Sequence, residues 1–338
     1  MIAVSISGKK KVRLIQVDKP KLGRGEVLME VKYVGFCGSD LNTFLGKNPM
    51  VILPVIPGHE IGGVVAEVSD GVPDNIEVGM ACTVNPYTSC GRCPSCRNRR
   101  PNACRFNQTL GVQRNGAMCE YIAVPWEKII TDDELSPFNF ALVEPMSVGF
   151  HAVSRAGVTD LDTVMVIGCG MIGIGAVIRS TKRGAKVIVV DVDDEKLKLA
   201  QKIGADHIIN SKSEDVHQKL TELTKGTGPD VIIEAVGATA TYQMAINEIA
   251  FTGRIVCIGY AKTDIAFETK YFVMKEMDIL GSRNSLPEDF RAVINYIRHN
   301  KSVVDLFISG IYKPENAHEA LEKWAANPGK VFRILIEF

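Results

Sequence analysis

The sequence predicts an α/β chain in which a β-rich first part precedes a doubly wound parallel sheet. Three observations carry that expectation. Short runs bounded by Gly or Pro fill roughly the first 145 residues, apolar runs alternate with amphipathic stretches from about residue 160, and a glycine-rich turn directly follows the first of those apolar runs.

In the first part, "GEVLMEVKYVG" (25–35) partly alternates apolar and polar positions, and "GVVAEV" (63–68), "MACTVNP" (80–86) and "EYIAVP" (120–125) are short strands closed by Gly or Pro. Their spacing suggests a small antiparallel barrel or sandwich. The chemically unusual residues fall in the long connections. In the second part, "TVMVIG" (163–168), "KVIVVD" (186–191), "HIIN", "DVIIEAVG", "RIVCIG" and "MDILGS" (277–282) are separated by helical stretches to about Arg183 and over 194–205, 214–225 and 239–250. Continuous apolar strands alternating with amphipathic helices indicate βαβ units whose sheet is covered on both faces. The tail carries one helix from "PEDFRAVINYI" and a last apolar run, "FRILIEF". It is too short for a third domain and is expected to return to the first. The organisation read from the sequence is therefore 1–149, 150–285 and 286–338.

The totals agree with two ordinary folded domains. The chain has 338 residues, 46% hydrophobic and 23% charged, and its 39 basic and 39 acidic residues cancel. That balance speaks against a nucleic-acid or anionic-membrane surface. No apolar run approaches the roughly 18 residues of a membrane span, and "MIAVSISGKKK" lacks the order of a signal peptide, so a cytoplasmic protein is expected.

"VIGCGMIGIGA" sets Gly168, Gly170 and Gly173 as G-x-G-x-x-G between a strand and a helix. One glycine permits the tight turn, one lets the backbone approach a pyrophosphate, and one lets the helix pack on the strand. The helix start offers free N–H groups to the phosphates. Asp191 ends the second strand, eighteen residues past Gly173, where a carboxylate accepts ribose hydroxyls. Its charge would repel a 2′-phosphate, so NAD is favoured over NADP, with Lys182, Lys186 and Lys196 as the counter-argument. The alternative is a glycine-rich helix start without a ligand. Further expected contacts of this Rossmann-type site are Met171, Ile172, Lys196, Val236, Ile258, Gly259, Ser282 and Arg283.

Nine cysteines are spread unevenly, and four of them, Cys90, Cys93, Cys96 and Cys104, fall within fifteen residues as C-x2-C-x2-C-x7-C. Such a cluster in a cytosolic chain points to metal rather than to disulfides. Four thiolates closing a tetrahedron suit structural zinc, and an iron–sulfur cluster is the competitor. Arg92, Arg97, Arg99 and Arg100 would offset the thiolate charge in this lobe, placed at about 88–106. A separate set joins one sulfur, one imidazole and two carboxylates: Cys37 in "VGFCGSD", His59 and Glu60 in "VIPGHEIGG", and Glu144 in "LVEPMSV". Catalytic zinc has three protein ligands and an open position. Taken singly, a buried cysteine or histidine is more often structural; their joint occurrence is what suggests a site.

These landmarks, in the order "GxCGSD", "PGHEIGGVV", the cysteine lobe, "EP" and "GxGxxG", resemble the zinc-dependent medium-chain dehydrogenase/reductase family over essentially the whole chain. The resemblance implies a chaperonin-10-like β-barrel catalytic domain, a Rossmann domain, and a cleft holding zinc and nicotinamide. Glu144 and the "GHE" sequence resemble the sorbitol, butanediol and threonine dehydrogenase branch. There the positions matched by Cys37, His59 and Glu60 are zinc ligands, and the one matched by Glu144 can enter or leave the shell. "LGSRNSLPEDF" is similar to proteins acting on sugar acids and polyols, most of all the L-galactonate or L-gulonate 5-dehydrogenases. Arg283 would then pair with a substrate carboxylate; its alternative is a helix-start or interface arginine.

The resemblance thus implies two Zn²⁺ per chain, NAD, and hydride transfer from a secondary alcohol. Ser39 would accept the proton, with Ser39, His59, Glu144 and Arg283 around the substrate. Asp40 is expected to fix the tautomer of His59. Where many relatives have a relay histidine, this chain has Asn42, which cannot take up a proton at neutral pH. The relay must be shorter, use a cofactor ribose hydroxyl and water, or run through Glu60 or Glu144. A simple polyol (sorbitol, xylitol, butanediol) or L-threonine substrate is the alternative within enzymes. A nucleotide-binding regulator is the alternative outside them. Relatives suggest a homo-oligomer, a dimer or tetramer.

Overall fold

The computed structural model describes residues 1–338. Its strands, in chain order, are β1 (Ile2–Gly8), β2 (Lys11–Gln16), β3 (Glu26–Gly35), β4 (Glu60–Val68), β5 (Ala81–Val84), β6 (Tyr121–Pro125), β7 (Ile129–Thr131), β8 (Thr163–Ile167), β9 (Lys186–Asp191), β10 (His207–Asn210), β11 (Val231–Glu234), β12 (Arg254–Cys257), β13 (Asp278–Gly281), β14 (Ile308–Tyr312) and β15 (Arg333–Glu337). The chain divides into two compact units: Met1–Pro145 with Leu286–Phe338, and Met146–Ser285.

The first unit is built on a seven-strand sheet ordered β14-β15-β3-β4-β5-β7, with β6 also pairing β3, beside the β1–β2 hairpin. The long central strand β3 organises it. Val27, Met29, Val31 and Val34 of β3 are buried against Ile61 and Val65 of β4 and Ile334 and Ile336 of β15. The sheet is antiparallel except for β14 and β15, which run parallel. The helix Ala317–Ala326 lies between those two strands in the chain, the kind of crossover a parallel pair requires. That helix buries Ala317, Ala320, Leu321 and Trp324 in the same core, which ties the C-terminal tail to the first unit.

The second unit is a six-strand parallel sheet ordered β10-β9-β8-β11-β12-β13. The order reverses between β8 and β11, and crevices for ligands form outside the carboxyl ends of strands at such a switch point. The strands read as unbroken apolar runs because both faces are covered: Val164, Met165, Val166 and Ile167 of β8 are all buried. Local chemistry sets the helix starts. Asp193 opens the helix Asp194–Lys202 by accepting from the N–H groups of Glu195 and Lys196, and Asp215 opens Val216–Thr224 by accepting from Gln218. No helix is long and apolar enough to cross a membrane.

Candidate metal centres and nucleotide cradle

Cys37 is the N-cap of the short helix Gly38–Phe44, where β3 has just ended, and His59 and Glu60 open β4 beside it. The register pairs Gly35 with Glu60, so the end of one strand and the start of the next face each other. One ligand atom from each of Cys37, His59 and Glu60 lies within 4.8 Å of the others. Gly35 is glycine for a steric reason: a Cβ there would stand 2.2 Å from Oε2 of Glu60.

Glu60 is fully buried and forms an ion pair with Arg333, whose Nη1 lies 2.9 Å from Oε1 without hydrogen-bond alignment. The same guanidinium donates to the carbonyl of Phe36. Burial pushes the Glu60 carboxyl well above the usual carboxylate range, against the opposing field of Arg333. Burial also resists ionisation of Cys37, but the neighbouring imidazole of His59 outweighs it and lowers the thiol. His59 is raised well above its usual value: burial opposes the charge, and the field of the Cys37 sulfur prevails. Nδ1 of His59 and Oε2 of Glu60 are buried without a hydrogen-bond partner. A thiolate, an imidazole and a carboxylate so placed form a donor set that fits zinc.

Glu144, in the first turn of the helix Val143–Ala156, is buried and accepts a hydrogen bond from the hydroxyl of Tyr87. It stands outside the group of three, though its charge reaches His59. Oγ of Ser39 is buried without a hydrogen-bond partner, while the Ser39 carbonyl accepts from Thr43 and Asn48.

Asp40 corrects an expectation. Its Oδ2 accepts from the backbone N–H of Cys37 at 2.8 Å, and Nδ1 of His59 has no partner, so Asp40 caps a helix rather than fixing a histidine tautomer. Sequence reading also missed Arg333 and Tyr87. Neither belongs to a motif, and only the fold brings them to Glu60 and Glu144. The aspartate three residues after Cys37 was a legible capping signal.

The four clustered cysteines are free thiols whose sulfurs lie within 4.8 Å of one another. Sγ of Cys93 is 3.5 Å from that of Cys96 and 3.8 Å from that of Cys104. The edge of a tetrahedron with ~2.3 Å zinc–sulfur bonds is about 3.8 Å, so this spacing fits a closed zinc site. Backbone N–H groups of Cys90 and Phe106 point at Sγ of Cys104. A hydrogen bond from Ser95, then backbone N–H groups, bring the Cys93 thiol down to about 5. Arg92, Arg97, Arg99 and Arg100 are exposed around the lobe.

In the second unit, Gly168 has φ +91°, and a Cβ there would meet Val236 at 2.5 Å. A Cβ on Gly173 would stand 1.8 Å from the Gly168 carbonyl oxygen, whereas one on Gly170 would meet nothing within 4 Å. Two glycines therefore serve packing, and the third borders open space at the N-terminus of the helix Met171–Lys182, with Met171 and Ile172 in its first turn. Asp191 accepts from the N–H groups of Cys169, Val192 and Asp193. Nearby, N–H groups of Val236 and Gly237 bind the buried carboxylate of Glu234, and those of Ile258 and Gly259 bind its carbonyl. Lys196 is buried, Ser282 keeps a buried hydroxyl without a partner, and Arg283 is exposed.

Residues 23–133 match the alcohol dehydrogenase GroES-like domain family, and residues 172–299 match the zinc-binding dehydrogenase family. The chain is 30% identical to L-galactonate-5-dehydrogenase of Escherichia coli K12, over 96% of this chain and 95% of that one. It is also 30% identical to sorbitol dehydrogenase of Bacillus subtilis 168, over 99% of this chain and 97% of that one. Among solved structures, an alcohol dehydrogenase of E. coli CFT073 in complex with NADH superposes with a TM-score of 0.91 at 28% identity, covering 100% of this chain and 99% of that one.

Proposed function

Because the chain belongs to the zinc-binding, medium-chain alcohol dehydrogenase family, we propose that it oxidises a secondary alcohol of a sugar acid, of the L-galactonate or L-gulonate type, with NAD. The observation that carries the dehydrogenase reading is the buried group of Cys37, His59 and Glu60 in a chain that also has a glycine cradle ending at Asp191. The sugar-acid reading is supported by the likeness to L-galactonate-5-dehydrogenase and by the segment "LGSRNSLPEDF". The likeness to sorbitol dehydrogenase favours a neutral polyol as the second reading.

Cys37, His59 and Glu60 would hold zinc, which would supply Lewis acidity for deprotonating an alcohol, and NAD would supply the hydride acceptor. The chain's own residues do the rest. Ser39, with a buried and unpartnered hydroxyl, would relay the alcohol proton, accepting it at Oγ while passing its own hydroxyl proton on to Glu60 or Glu144. Arg333 stands against Glu60 and opposes the effect of burial, favouring the charged carboxylate. Tyr87 holds Glu144 beside His59, so a second carboxylate is at hand for the proton or the metal. Asn42 does not titrate, which leaves Ser39 and the two glutamates as the polar route outward. Gly168 and Gly173 hold the turn closed so that the backbone at Gly170 would receive the pyrophosphate, and Asp191 would receive the ribose hydroxyls.

We place the protein in the cytoplasm as a homo-oligomer. β13 is an outer strand of the parallel sheet, and Val273, Met274 and Ile279 near it are exposed apolar side chains that a second copy would cover. The test of function is NADH formation across L-galactonate, L-gulonate, sorbitol, butanediol and L-threonine. The reading expects the highest kcat/KM on an aldonate, and a clear preference for L-threonine or a neutral polyol would replace it.

A further inference from the structure

Two cations of the first unit have no part in the chemistry above. Arg114 is half-buried in the segment between Cys104 and β6. Its Nε is fully buried without a hydrogen-bond partner, and its guanidinium pairs with no carboxylate. Lys128, also half-buried, spends Nζ on one bond, 2.6 Å to the carbonyl oxygen of Tyr87. Burial holds both below their ordinary pKa values, and the field of Arg114 lowers Lys128 further against a small opposing effect of the exposed Glu127. An arginine has five N–H donors, and one shielded from water without an acceptor is disfavoured. An arriving anion would satisfy it.

The position of the pair is informative. The Arg114 carbonyl accepts from the N–H of Gly111 at 2.8 Å. Gly111 and Gly116, on either side of Arg114, lie against the residues just before His59: added Cβ atoms would stand 2.5 Å from the nitrogen and 2.3 Å from the oxygen of Gly58. Lys128 is bound to Tyr87, whose hydroxyl donates to Glu144. The backbone on either side of Arg114 thus packs on the residue before His59, and Lys128 is linked through Tyr87 to Glu144.

We propose that Arg114, backed by Lys128, is an anion subsite beside the metal group and reads a carboxylate or phosphate carried by the alcohol substrate. The inference rests on the dehydrogenase reading for its choice of substrate and names the charge that substrate bears. A planar guanidinium grips either anion through two parallel hydrogen bonds, and the ammonium adds a point charge.

Three probes with one carbon skeleton test it: galactitol, L-galactonate and galactitol 1-phosphate, titrated calorimetrically into the zinc-loaded protein with NADH present. At least one anion should bind about tenfold or more tighter than galactitol, and which of the two does so separates carboxylate from phosphate. In Arg114→Met that ratio should fall to about one, and in Arg114→Lys it should fall part of the way. Equal binding of all three probes by the natural chain, or a ratio that survives in Arg114→Met, overturns the subsite. Should Arg114→Met not fold, an unchanged ratio in Arg114→Lys overturns it. NADH formation from neutral alcohols without anion preference would remove the subsite and leave the dehydrogenase reading standing. Anion preference without any turnover would do the reverse.

Discussion

Arg333 of β15 and Glu60 of β4 form a buried ion pair, 2.9 Å between Nη1 and Oε1. It joins the last strand of the chain to the carboxylate that completes the group with Cys37 and His59. Removing one partner of a buried pair costs up to about 3–5 kcal/mol, because the other is left buried without its counter-charge. Arg333→Met should therefore lose roughly that much stability by urea unfolding of the metal-free protein. Arg333→Met with Glu60→Gln should recover most of it. A single variant as stable as the natural chain would show that the pair does not hold Glu60.

The glycine cradle separates packing from binding. A methyl at residue 173 would collide with the Gly168 carbonyl at 1.8 Å, whereas residue 170 faces open space. Gly173→Ala should lose about 1–3 kcal/mol by thermal or urea unfolding. Gly170→Ala should keep the natural stability but bind NADH more weakly by fluorescence titration. The opposite pattern would invert the assignment of the two glycines.

Asp191 is the residue assigned to cofactor choice. Asp191→Ala should lower the ratio of kcat/KM with NAD to that with NADP by about tenfold or more, the scale of one charged hydrogen bond. Asp191→Asn, which keeps an acceptor oxygen without the charge, should fall between. Equal use of both cofactors by the natural chain would contradict the assignment.

His217 and Glu248 give a pH signature away from the metal groups. Nδ1 of the exposed His217 lies 3.0 Å from Oε2 of Glu248, and that hydrogen bond, together with the carboxylate charge, raises the imidazole above 6.5. A raised histidine stabilises the fold fully below its unfolded value and loses the contribution as pH rises through the folded one. The His217 ring-proton titration by NMR should show a midpoint above 6.5, returning to about 6.5 in Glu248→Gln. No difference between the two proteins would dismiss the pair.

The parallel sheet was legible because strands covered on both faces leave unbroken apolar runs: "TVMVI" and "KVIVV" announce β8 and β9 without tertiary information. The hairpin of β1 and β2 was not. Lys11–Gln16 is an edge strand that is largely exposed, so its sequence bears little trace of a core. The metal-binding residue types could be read because cysteine, histidine and glutamate are rare in such runs. Their supports could not, since Arg333 reaches Glu60 and Tyr87 reaches Glu144 only through the sheet. Asp40 shows the converse error: a carboxylate near a histidine invited a chemical role, while the backbone N–H of Cys37 three residues earlier had the stronger local claim.

The most direct test of the central claim is the zinc content of the purified protein by mass spectrometry of the dissolved metal. Two zinc ions per chain are expected in the natural protein and one in the Cys37→Ser, His59→Ala double variant, the remaining ion held by Cys90, Cys93, Cys96 and Cys104. Two ions retained by the double variant, or a single ion in the natural chain, would contradict that claim.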